Sequence, residues 1–137
     1  MFLNKTTKYA ISLLAYMANS PDQLYSAETL HKELNIPRRY LRLLLTDLGK
    51  HGFIESTRGR NGGFKLSRDS KKTSVAQVID ALEGLENYDR CFFGIRNCVN
   101  DNPCAMHHAW SDTRSTLMQT LEKTSLFDLG KDSIMKF

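Results

Sequence analysis

Cysteine is scarce in this sequence and narrowly placed: three residues, all between positions 91 and 104. An odd, clustered set cannot supply the evenly paired framework that staples small secreted domains, and it suits a reducing compartment. There is no CxxC pair and no nucleophile–base motif, so thiol oxidoreductases and covalent hydrolases find no support and an enzyme is not expected. Long apolar runs are missing too: none approaches the ~18 residues that a membrane span needs. The stretch Met1 to Ala18 lacks the shape of a secretory signal, because Tyr9 and Tyr16 interrupt the apolar run after Lys5 and Lys8 and no small-residue cleavage site follows. A cytoplasmic protein is the expectation. Neither internal repeats nor low-complexity segments occur.

What is present fits one packed domain with an appended arm: 137 residues, 41% of them hydrophobic. The net charge of +4 is unevenly spread. Residues 1–72 hold 13 Lys and Arg against 6 Asp and Glu, a net +7, whereas residues 73–137 hold 6 against 9, a net −3. The front half is built to meet a polyanion and the back half has another task.

Apolar spacing predicts a helix over residues 6–18, with Ala10, Leu13, Leu14 and Met17 on one face, broken at Ser20-Pro21-Asp22. A second helix starts after the N-cap Ser26, carries Glu28 in its first turn and is expected to bury Ala27, Leu30 and Leu34. A third is expected from Pro37, as first helical residue, to His51, with the stripe Leu41, Leu44, Leu45 and Leu48 and Gly52 just beyond its end. Strands are predicted at Phe53–Thr57 and Phe64–Leu66, joined by Arg58-Gly59-Arg60-Asn61-Gly62-Gly63, a tight, basic hairpin tip. A fourth helix opens with a Ser74–Gln77 capping box, buries Val75, Val78, Ile79 and Leu82, and ends at Gly84. Residues 86–102 read as irregular. A last helix is expected from near Pro103 to Thr124, with Trp110, Leu117 and Leu121 at roughly heptad spacing, a rod of about 30 Å at ~1.5 Å per residue. A second copy of the chain is the simple candidate for what such a rod packs on.

Helix, helix, tight turn, helix and basic hairpin is the order of a winged helix-turn-helix. The fold class is therefore mainly α with a small β-hairpin wing, ending in a long C-terminal dimerisation helix. The third helix would read the major groove. Arg38, Arg39 and Arg42 lie in its first turns, where an arginine can donate two hydrogen bonds to guanine or hold a phosphate. Arg58 and Arg60 at the hairpin tip suit a narrow minor groove or the backbone. The candidate DNA-contacting set is Arg38, Arg39, Tyr40, Arg42, Arg58, Gly59, Arg60 and Asn61.

The cysteines are spaced C-x6-C-x5-C-x2-H as Cys91, Cys98, Cys104 and His107. Three thiolates in one loop can hold a soft metal or an iron–sulfur cluster. Cys104 is expected in the first turn of the long helix, where the dipole favours a thiolate, with His107 or His108 on the same face as fourth ligand. Structural Cys₃His zinc and a metal-free thiol switch use the same atoms and remain the alternatives.

With both constellations in view, the chain resembles the Rrf2 family of winged helix-turn-helix regulators. The resemblance covers nearly the whole length. It rests on Lys8-Tyr9-Ala10, Tyr40-Leu41, the wing Arg58-Gly59-x-x-Gly62-Gly63-Phe64-x-Leu66, then Val75-x-x-Val78-Ile79-x-Ala81 and Asn102-Pro103-Cys104-x-x-His107-x-x-Trp110. It implies a homodimer joined through the long helix on a palindromic DNA operator. It also implies an iron–sulfur cluster on Cys91, Cys98 and Cys104 with His107, of the [2Fe–2S] or [4Fe–4S] type with the first preferred, as in the IscR- and NsrR-like, cluster-binding branch. Arg58 matches a minor-groove wing arginine. Such a regulator, a repressor in the first instance, would sense redox state, nitric oxide or iron–sulfur status. The chain is expected to divide into a DNA-binding domain at residues 1–84, a cluster loop at 85–104, and a dimerisation helix with C-terminal tail at 103–137. Three positions depart from the pattern. The first cysteine interval is one residue longer, Lys8 stands where NsrR-like members place a ligating aspartate, and Arg42 stands where IscR-like members carry a glutamate.

Overall fold

The computed structural model describes residues 3–93 and 103–131. Its elements are α1 (Lys5–Met17), α2 (Ala27–Leu34), α3 (Arg38–Lys50), β1 (Ile54–Thr57), β2 (Gly63–Leu66), α4 (Val75–Leu82), a 3-10 turn (Leu85–Tyr88), α5 (His107–Lys123) and α6 (Leu126–Gly130). No helix among the described residues is long and apolar enough to cross a membrane.

Local chemistry sets most of the helix ends. The Asn4 side chain accepts the Thr7 N–H at 2.8 Å and Ser26 accepts the Thr29 N–H at 3.1 Å, so α1 and α2 start where a short polar side chain replaces the missing backbone partner. Asn35 ends α2 in the left-handed region (φ 57°, ψ 36°), its N–H on the His31 carbonyl. That kink sets α2 against α3. Pro37 is the N-cap of α3 rather than its first helical residue, because its ψ of 137° is extended; its carbonyl accepts the first bond, from Leu41, at 2.8 Å. At the other end Arg68 closes the helix. Its guanidinium donates to the His51 and Gly52 carbonyls at 2.7 and 3.1 Å and lies 4.3 Å over the Phe53 ring.

The hairpin pairs Ile54 with Leu66 through Thr57 with Gly63. Tyr25 adds a short third rung, exchanging two 2.8 Å bonds with Phe64, and so roots the wing on the segment before α2. Leu13, Leu14 and Met17 of α1, Leu30 and Leu34 of α2 and the predicted α3 stripe form one buried core with Phe53, Ile54 and Leu66. Ala27, expected inside, is exposed: it directly follows the cap, at the rim of α2. Leu82, expected on the buried face of α4, is only half-buried.

The C-terminal part differs most from expectation. The long helix has 17 residues, about 26 Å at ~1.5 Å each, and Leu117, Met118 and Leu121 pack half-buried against Val75, Ile79 and Tyr88 of the same chain. Beyond it, a Ser125–Asp128 capping box starts α6, which the sequence reading missed. The Val75 N–H donates to Thr124 and the Leu126 N–H to Thr73, both at 2.9 Å. Leu126 thereby enters the main core, and part of what was expected as a tail packs into the same interior as α1–α3.

Candidate DNA interface and cysteine site

The stripe of leucines turns the other flank of α3 outward. Arg38, Arg39, Arg42 and Thr46 are exposed. Tyr40 is turned inward instead: its ring meets Tyr9 edge-on at 5.0 Å and its hydroxyl bonds Thr6, joining α3 to α1. A cavity of about 530 Å³ separates α3 from the hairpin, lined by Glu28, Arg38, Arg42, Leu45, Ser56 and Phe64 among others. In its wall, Arg38 donates from Nε and Nη2 to the two carboxylate oxygens of Glu28 on α2, at 3.1 and 2.7 Å. That donated pair holds the Glu28 carboxyl below its ordinary range. Sequence inspection assigned Glu28 only to the helix dipole; no spacing rule links it to a residue ten positions on.

At the wing tip Arg58, Gly59, Arg60 and Asn61 are all exposed. The tip closes through the Gly62 N–H on the Gly59 carbonyl at 3.1 Å. Gly59 has φ +110°, and a Cβ at Gly62 would lie 1.9 Å from the Thr57 carbonyl oxygen, so neither position takes a larger residue without moving the tip. Several basic side chains are already paired: Arg38 and Lys32 with Glu28, Lys65 with Glu55 at 3.3 Å. Among the described residues no ion pair involves Arg39, Arg42, Arg58 or Arg60. Two exposed guanidinium groups on α3 and two at the wing tip thus have no ion-pair partner among the described residues, the kind of free positive charge that a polyanion such as a duplex would meet.

The segment that carries Cys91 is held by Trp110, noted above only for its spacing and for the family motif, and by an Asp89–Arg114 pair that the sequence did not single out. The Trp110 Nε1–H donates to the Arg90 carbonyl at 2.9 Å, and Phe92 meets the Trp110 ring edge-on at 5.8 Å. One turn along, Arg114 pairs with Asp89. Residues 89, 90 and 92 are therefore tied to the first half of α5, and Cys91, in the middle of that run, is buried.

Cys104 does not lie in the first turn of the helix, as expected. Helix α5 starts at His107, whose N–H reaches back to the Cys104 carbonyl at 3.0 Å. The argument from helical spacing for His107 or His108 falls with it. Burial separates the two histidines instead: His107 is buried, His108 exposed, their rings edge-on at 5.4 Å. Cys104 is half-buried, and Cys98 lies outside the described residues. Among the described residues no three His, Cys, Asp or Glu side chains gather as a metal site. The donors that are described, two thiols and an imidazole with Cys91 and His107 shielded from water, fit a soft metal or an iron–sulfur cluster in chemistry.

One carboxylate connects the two regions. Glu83, at the end of α4, accepts the Tyr88 hydroxyl, the Thr7 hydroxyl at 2.7 Å and the Asn4 N–H at 3.1 Å. Partial burial pushes the Glu83 carboxyl upward, but these three donors outweigh it and hold it below its ordinary range. Burial and the Glu83 charge raise the Tyr88 phenol to about 12. Tyr88 is three residues before Cys91; Thr7 follows Thr6, which holds Tyr40 of α3. A sequence separation of 76 residues between Thr7 and Glu83 hides this junction from any pattern.

Comparison with known proteins agrees with this architecture. A family model described as Rrf2, iron-dependent transcriptional regulator, matches residues 3–132. The transcriptional regulator NsrR of Bacillus subtilis is 29% identical over 140 residues, covering 99% of this chain and 96% of that one. IscR of Xenorhabdus nematophila is 29% identical, covering 96% and 80%. In structure, CymR, the global cysteine regulator of B. subtilis, superposes with a TM-score of 0.80 at 21% identity over 96% of this chain and 97% of that one.

Proposed function

The chain belongs to the Rrf2 family of DNA-binding transcriptional regulators, and from that premise we propose that it is a cytoplasmic homodimer on a palindromic operator, governed by an iron–sulfur cluster. The reading is carried by one observation: residues 89, 90 and 92 are stapled to α5, which holds buried Cys91 beside the helix that begins with buried His107. Cys91, Cys98 and Cys104 would be the thiolate ligands and His107 the fourth. When bound, the cluster supplies a thiolate-held redox centre open to oxidants, nitric oxide or iron supply.

The chain's own residues do the rest. Trp110 and Arg114 hold the ligand-bearing segment on α5. Tyr88 and Glu83 pass its position to Asn4 and Thr7 at the start of α1. Thr6 and Tyr9 meet Tyr40, and α3 carries Arg39 and Arg42 to the duplex while Arg58 and Arg60 engage it from the wing. The half-buried Leu117 and Leu121 leave apolar surface on α5 for a second copy. Ordering of the cysteine segment by its ligand would thus bias the reading face.

Protein purified without oxygen is expected to be brown and to contain iron and sulfide, with Cys98→Ala losing the visible absorbance. A colourless protein holding zinc, or a Cys98→Ala variant with the wild-type spectrum, would overturn the ligand assignment.

A further inference from the structure

The three arginines at the start of α3 are not equivalent, and the Glu28 contact separates them. An arginine has five N–H donors in a planar fork. Glu28 occupies the side of the Arg38 fork, taking Nε and Nη2 at 3.1 and 2.7 Å. The end of the fork, one N–H from each Nη, remains available, and two parallel donors there match O6 and N7 of guanine in the major groove. The carboxylate also disfavours a phosphate next to Arg38, since the two anions repel, whereas an uncharged base edge carries no such penalty. Lys32, whose Nζ is 3.9 Å from the same carboxylate, offsets only part of that charge. Arg39 and Arg42, without ion pairs among the described residues, have no such restraint. Arg38 is, moreover, the first residue of α3, the end at which a reading helix meets base edges.

We infer that Glu28 and Arg38 form one guanine-reading unit: Arg38 makes the base contact and Glu28 is the positioning residue that fixes its orientation, while Arg39 and Arg42 serve the phosphate backbone. This rests on α3 reading DNA and is independent of the cluster. The pair is solvent-exposed, with side-chain accessibilities of 65% and 48%, so it adds little to fold stability and its loss can be read as a change in recognition alone.

The test uses the full chain and a pool of randomised double-stranded DNA. Wild type should enrich a guanine at one position of each half-site. Arg38→Ala should lose discrimination there by about 5- to 150-fold with the salt dependence of affinity unchanged. Glu28→Gln, of the same shape, should relax the same position and bind a scrambled duplex more tightly, because Arg38 is released toward phosphates. The inference is overturned if Arg38→Ala weakens selected and scrambled duplexes alike and lowers the salt slope by about 1, the mark of a phosphate contact. It is also overturned if Glu28→Gln keeps the wild-type guanine preference. If wild type enriches no sequence at all, reading of DNA by α3 fails, and the pair's role with it.

Discussion

Around Leu13, Leu14 and Leu48 the interior is closed by apolar side chains that solvent does not reach, whereas around Val75, Ile79 and Tyr88 it is closed by the half-exposed Leu117, Met118 and Leu121 and by polar staples. The first arrangement holds α1–α3 and the root of the hairpin together. The second holds the cysteine segment through Asp89–Arg114, Arg90–Trp110 and Glu83–Tyr88. A region sunk in a continuous core opens only with global unfolding, while one held by a few polar contacts opens at lower free energy. The difference teaches that the helices packed around α3 and the root of the hairpin are the rigid part of the chain, and that in the proposed function the adjoining segment is the part that would answer a ligand.

The largest effect that would break this contrast lies in the main core. Leu13→Ala should cost about 2–5 kcal/mol of unfolding free energy in urea, and Leu117→Ala about half of that or less, because its site is already part-wet. Equal losses would mean that the two clusters are equally closed. Next comes Arg114→Ala, which leaves Asp89 without its partner. Because Asp89 is 46% exposed and water can replace its partner, we expect a loss of about 1 kcal/mol or less, seen as faster amide hydrogen exchange over residues 86–93 with α1–α3 unchanged. If exchange in α1–α3 speeds up as much, the staple belongs to the global fold.

A smaller change sharpens the comparison from the DNA side. Arg58→Ala should weaken binding to the selected duplex and make its salt slope shallower by about 1, with thermal stability and oligomeric state as in wild type. The smallest effect concerns Glu83. Its carboxyl is depressed in the folded state, so its contribution is fully present above the ordinary value of 4.5 and is lost as pH falls through the lower folded value. Wild type should therefore lose stability on acidification below about pH 4.5, and Glu83→Gln should flatten that segment of the curve. The Tyr88 phenol, raised to about 12, works in the opposite sense: its contribution holds below the ordinary 10 and is lost as pH rises through its folded value. A Glu83→Gln protein with an unaltered acid limb would show that the carboxylate is not a junction between the regions.

Much of the front half was legible because its determinants are neighbours in sequence. Ser26, Ser74 with Gln77, and the α3 leucines act over one turn of helix, and those elements stand within a residue or two of expectation. The wing glycines follow from backbone sterics alone. The errors arose where local pattern competes with distant contacts. Pro103 looked like a helix start, yet α5 begins at His107. Tyr40, grouped in the sequence reading with the candidate DNA contacts, also serves the interior, where Tyr9 and Thr6 hold it half-buried.

By itself, the sequence determined where charge, apolar faces and sulfur would lie, since composition and periodicity act through the nearest few residues. Only the tertiary structure decided how they are used: that Glu28 claims one side of Arg38, that Trp110 and Arg114 tie residues 90 and 89, next to Cys91, to a helix, and that Glu83 joins residues 4, 7 and 88. Hydrogen bonds and ion pairs form between whichever groups packing brings within about 3 Å, and no repeat or spacing along the chain encodes that proximity.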